Sequence, residues 1–185
     1  MRPDSRRAAA HNQIDTTKLR RPMTVFSGLP AHVLLVHFVV VLVPLTALLE
    51  IACAVWPAVR RGQIVWLTLT LAVVTMVLTP ITINAGEWLY DLRRHPEPIL
   101  RQHAQLGEWM TYFAVALLVV AVVLAVLHLA ERRSEKRRLP TKLVIAIVTL
   151  AVGISSIIQV YRVGDAGAHS VWGEEIEHLK QAAGQ

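Results

Sequence analysis

Histidine and carboxylate side chains gather toward one end of the apolar blocks of this chain, and they are the residues best suited to chemistry. An imidazole is neutral near pH 7, ligates iron or a divalent metal, and relays protons. Counting back at ~1.5 Å per residue from Val59 and Ala130 as one membrane boundary, along antiparallel helices, His37 and Glu108 fall at nearly the same level. That level is just inside the opposite boundary. His32, Glu87, Asp91, His95, His103 and His169 lie at or beyond it, and His128 stands alone at the other end. Intramembrane ionisable groups are expensive and usually face a cavity or a partner, so this one-sided crowd is the candidate site.

Three readings stay open. In the first, His37 with His103 or His169 ligates a b-type haem between helices, near Glu108, with Arg93, Arg94, Arg101 or Arg162 beside its propionates. In the second, His and carboxylate groups (His32, Glu87 and Asp91 among them) bind a divalent metal or relay protons or ions. In the third, these groups satisfy one another and loop backbone, and the protein is an accessory or structural membrane subunit. This third reading takes the largest share. His32 and His37, about 140° apart around a helix, cannot both aim at one ligand while the segment is helical. Glu50 is separate: it falls near mid-bilayer, level with Thr75 and Gly153, where a protonated or hydrogen-bonded side chain facing the bundle is favoured over a proton relay. His95 and His178 read as surface positions.

The elements that must position these groups are membrane helices. Of the residues, 54% are hydrophobic and 17% charged, and the apolar ones come in four long blocks separated by charged punctuation. The pattern predicts an all-α integral membrane four-helix up-and-down bundle, with helices at about 31–59, 64–83, 103–130 and 142–162. A mobile basic tail (1–27) precedes the membrane domain (28–166), and an interfacial amphipathic segment (167–185) follows it. Pro44 should kink the first helix and Pro80 loosen the end of the second. Gly164, Gly167 and Gly173 suggest a turn before a final helix carrying Trp172, Ile176 and Leu179 on one face and Glu174, Glu175 and Glu177 on the other. Being acidic, that helix should pack on the bundle or a partner rather than on anionic lipid. All five tryptophans fall near the block ends, as an interfacial belt would place them.

The net charge of +6 resides in loops and tails flanking the apolar blocks. Positive-inside topology and lipid headgroups account for it, and nucleic acid is not expected as a partner. The expected partners are the bilayer, other membrane proteins or further copies of the chain. The dense basic loops at 60–61 and 131–142 place those loops in the cytoplasm and both termini outside, in the inner (plasma) membrane. Cys53, the single cysteine, excludes an intramolecular disulfide and reads as a small apolar packing residue. No Gly-rich phosphate loop, Cys-x-x-Cys pair, nucleophile elbow or His-Glu-x-x-His is present, so hydrolase and nucleotide-driven functions have no support.

The order of the polar motifs resembles one known family. AHVLLVHF at 31–38, Glu50 thirteen residues after His37, Gly86-Glu87-Trp88, His103 with Gly107, and Val160-Tyr161-Arg162-Val163-Gly164 together are similar to the bacterial membrane proteins grouped as domain of unknown function 2231. The likeness covers about residues 28–166. Val33 and Val39 stand where such proteins tend to carry proline, and Val163 where a histidine often follows the Tyr-Arg pair. The resemblance implies a four-helix integral membrane domain and no established activity.

Overall fold

In a computed structural model, residues 25–26, 29–91, 93, 97–133 and 139–184 are described. The expected N-terminal tail up to residue 24, His95 and the centre of the basic loop lie outside them. A two-residue antiparallel pairing, β1 (Val25–Phe26) with β2 (Leu29–Pro30), leads into the helices. These are α1 (Ala31–Val55), α2 (Pro57–Arg61), α3 (Ile64–Asp91), α4 (Pro98–Arg133) and α5 (Leu139–Ala182). Four of them, α1, α3, α4 and α5, are long and apolar enough to cross a membrane, and the chain is an all-α bundle.

Each spanning helix presents large aliphatic residues outward and small or hydroxylated ones inward. Phe38, Val41, Leu48, Leu67, Val77, Val119, Val126, Leu143 and Ile158 are exposed, as lipid-facing side chains must be. The buried stripe of α3 is Val65, Thr68, Ala72, Thr75, Thr79, Thr82 and Ala85. That of α5 is Thr149, Gly153, Ser156, Gln159, Val160, Val163 and Ala166. Lipid tails are as apolar as leucine, so helices associate in a bilayer through close packing of such small faces. Gly153 illustrates this, since a Cβ there would lie 2.9 Å from Ile51 Cδ1.

The helices form a square. α1 and α4 each pack extensively against both α3 and α5, and meet one another only sparsely across the diagonal.

Helix boundaries depart from the sequence reading in three places. The first span stops at Val55 rather than 59, because Trp56 is extended (φ −108°) ahead of Pro57, which starts the short α2. The second continues through Pro80 to Asp91, and the third starts at Pro98, so the polar connection is far shorter than expected. Most consequentially, α5 runs unbroken for 44 residues, about 66 Å at 1.5 Å per residue and roughly twice the hydrocarbon thickness. Its glycines are helical and no turn separates a final segment. Trp172, Ile176 and Leu179 are therefore exposed rather than folded back on the bundle.

The buried stripes reveal an internal repeat. Val39, Val43, Thr46, Glu50 and Cys53 of α1 correspond, 71 positions on, to Met110, Ala114, Leu117, Ala121 and Leu124 of α4, all buried. Thr68, Ala72, Thr75, Thr79, Thr82 and Ala85 of α3 correspond, 81 positions on, to Thr149, Gly153, Ser156, Val160, Val163 and Ala166 of α5, again all buried. The bundle is thus two helical hairpins, α1–α3 and α4–α5, facing one another about an approximate two-fold axis along the membrane normal.

Candidate functional site

At the end of the bundle where α1 and α4 begin, the two hairpins contribute the same histidine. His32 Nδ1 lies 2.9 Å from the Thr82 carbonyl of α3, and His103 Nδ1 lies 3.0 Å from the Val163 carbonyl of α5. Thr82 and Val163 are themselves repeat partners. One turn beyond each carbonyl sits a glycine: a Cβ at Gly86 would fall 2.8 Å from His32 Cε1, and a Cβ at Gly167 would fall 2.9 Å from His103 Cε1. Only glycine lets each ring lie this close to the neighbouring helix.

The consequence is chemical as well as steric. A carbonyl can only accept, so each Nδ1 carries a proton, and in the neutral form of such a ring the lone pair is on Nε2. A backbone carbonyl holding the far nitrogen is the usual way a ligating imidazole is oriented. The ring centroids of His32 and His103 stand 6.2 Å apart, with planes at 78°. Both rings are half-buried.

The other sequence candidates are not brought to this pair. His37 is exposed, with Nδ1 against the Val33 carbonyl one turn back on its own helix. His169 is likewise exposed, with Nδ1 2.9 Å from the Asp165 carbonyl and 3.5 Å from the Asp165 carboxylate. Glu87, Asp91 and Glu108 are exposed; Glu108 borders an open groove with Trp109, Thr111 and Tyr112. His37 is not brought to His103, which faces His32 instead. The physical reason is helical phase: with the Val39, Val43 and Thr46 face turned inward, position 37 points to lipid. Among the described residues, no group of three or more His, Cys, Asp or Glu side chains is placed to hold a metal ion.

The opposite end is closed by charge. Arg60 of α2, 1% exposed, makes a bidentate pair with Glu131 (3.1 and 2.8 Å), and its Nη1 donates to the Cys53 carbonyl at 2.6 Å. Lys142 of α5 approaches the same carboxylate at 2.6 Å. Glu131 follows the apolar stretch that ends at Ala130. The Arg60 guanidinium bonded to it, with Lys142 adding to the effect, outweighs burial and holds its carboxyl at about 2. Nearby, the buried ring of His128 meets Trp66 edge-on.

Between the two ends the interior is unusually polar. Glu50 is fully buried and neither of its oxygens has a hydrogen-bond partner. Thr149 Oγ1 and His128 Nδ1 are also buried and unpartnered. Thr46 and Thr75 bring their hydroxyls to 3.4 Å across α1 and α3, while Cys53 Sγ lies 3.8 Å from Thr68 Oγ1. Glu50, between these two contacts on α1, is therefore near the middle of the span.

A family description fits these four spans. Residues 28–180 match the family described as predicted membrane protein (DUF2231). The chain belongs to the DUF2231 family. It is accordingly a multi-pass membrane protein, and the match extends past residue 166 into the projecting part of α5. No curated protein and no solved structure matches it.

Two features of this DUF2231 chain escape a reading of the sequence alone. The pairing of Arg60 with Glu131 is invisible because both sit in charged loop ends that look like topology signals. The choice of His32 over His37 depends on the rotation of α1. The repeat supplies a usable signal for both, because His32 with His103 and Arg60 with Glu131 share the spacing of 71 positions.

Proposed function

We propose that this protein is a haem-binding redox subunit of the inner membrane, in which His32 and His103 would hold one b-type haem. What carries the reading is the pair itself: two imidazoles from diagonal helices, each with Nδ1 held by a carbonyl, at a centroid separation of 6.2 Å. Haem is favoured over a bare divalent ion because, among the described residues, only His32 and His103 converge here. Zinc in a structural site requires about four protein donors, whereas a porphyrin provides the equatorial nitrogens itself and asks the protein only for axial ones. Arg162 stands exposed at the same end, suited to an acidic propionate. Bound there, the haem would carry one electron at a time near one membrane face. His32 and His103 would fix its orientation, and the surrounding helices would limit water.

The spectrum of dithionite-reduced protein, purified from haem-sufficient cells, tests this. A sharp b-type band lost in both His32→Ala and His103→Ala, and kept in His37→Ala and His169→Ala, is the expected result. Colourless wild-type protein would overturn it. The histidine–carbonyl contacts would then be braces of an accessory or structural subunit, whose partner a pull-down would seek. The cytoplasmic placement of the 60–61 and 131–142 loops belongs to the same proposal; a reporter fused at Gln185 that is active in the cytoplasm would contradict it.

A further inference from the structure

We infer that Glu50 is an intramembrane proton-binding site with access from the His32/His103 end and not from the Arg60 end. The internal repeat shows that packing does not demand an acid here: the partner position in the other hairpin is Ala121, equally buried. Nor does hydrogen bonding retain it, since both carboxyl oxygens are unpartnered. An ionised carboxylate without partners in a bilayer interior is costly enough that the group binds a proton and becomes a neutral carboxylic acid. One proton is taken up, and no counter-ion is needed.

The groups around this level are nearly all uncharged. On α1 they are Thr46 one turn above and the Cys53 thiol below. α3 contributes Thr68 and Thr75, α4 contributes Ala121, and α5 contributes Thr149, Gly153 and Ser156. His128 of α4 lies two turns further toward the closed end, where Arg60 is buried. The access route follows from where hydroxyls and charges lie. Above Glu50, Thr46 meets Thr75, and Thr79 and Thr82 continue the stripe along α3, each with its hydroxyl turned back to the carbonyl one turn before it. The Thr82 carbonyl then receives His32. From Glu50 to His32 is about 27 Å along α1. Below Glu50 the way is shorter but passes the Arg60 guanidinium, seated on the Cys53 carbonyl and locked to Glu131. A buried fixed cation repels an incoming proton. None of this depends on what His32 and His103 bind.

Infrared spectroscopy of the full chain in lipid vesicles tests the site. At neutral pH the wild type should show the carbonyl stretch of a protonated carboxylic acid, absent in Glu50→Gln and displaced in Glu50→Asp. On transfer to D2O the band should shift, and Thr46→Val with Thr75→Val should slow that shift by about tenfold, the loss of one relay hydrogen bond. Thr75→Ser, which keeps the hydroxyl, should leave the rate unchanged, as should Thr68→Val on the closed side. No band assignable to Glu50 by either substitution would overturn the proton site. Slowing by Thr68→Val, or by Thr75→Ser as much as by valine, would overturn the route. A colourless protein that passes these tests leaves the inference standing while the haem reading fails.

Discussion

Arg60 and Glu131, repeat partners 71 positions apart, bond to each other at 2.8 Å at one end of the bundle, as His32 and His103 face each other at the other. Positions near a two-fold axis can meet their own counterparts, and at each end of this bundle one such meeting involves ionisable groups. At the closed end the partners have diverged to opposite charge and lock the hairpins together. At the open end they are identical, each ring seated on the corresponding carbonyl of the neighbouring helix in its own hairpin.

Removing one member of the buried pair leaves the other unpaired. Arg60→Ala is expected to destabilise the bundle by about 3–5 kcal/mol, read from denaturant titration in detergent, whereas Lys142→Ala, at a more exposed side chain, should cost below about 1 kcal/mol. Equal effects would show that the pair is not the lock.

The same pair sets an acid limit. Because Glu131 is held at about 2 against an ordinary value of 4.5, its folded-state value is depressed. Its contribution is fully present above about 4.5 and is lost as pH falls through about 2. Thermal melts of wild type should fall over that window by more than those of Glu131→Gln, which has no such carboxylate to protonate. Parallel curves would refute the assignment.

Gly86 and Gly167 are expected to be the least replaceable glycines. Alanine at either would press on a ring that a carbonyl holds in place, costing about 1–3 kcal/mol by overpacking and displacing Nδ1 from its acceptor. Gly164→Ala and Gly107→Ala, with nothing within 4 Å of the added carbon, should be neutral or slightly stabilising. Melting temperatures of the four variants, measured together, separate these outcomes.

If the bundle is two hairpins, it should survive being cut between them. Residues 1–94 and 95–185, expressed together as separate chains, are expected to co-purify and regain the helix content and melting temperature of the intact protein. Each hairpin presents a face of small and hydroxylated residues that packs closely only against the other hairpin. Fragments that accumulate separately would argue that the connection, not the interface, holds the halves.

Sequence alone determined the four spans, the all-α bundle and the family, because twenty or so apolar residues between charged loops have one outcome in a bilayer. It also marked Glu50 as deeply placed and Gly153 as a point of close approach, both of which follow from counting along helices. Rotation about each helix axis was not legible, because the spans are apolar on every side and lipid is as good a solvent as protein for most of them. Only packing of the small and hydroxylated stripes decides which face turns inward, and that turned His32 toward His103 while leaving His37 in lipid. Tertiary structure likewise decided the unbroken α5, since the ring of His103 occupies the space that makes Gly167 a packing residue rather than a turn. It also decided the Arg60–Glu131 lock, which joins the short α2 to the end of α4, far apart in the chain.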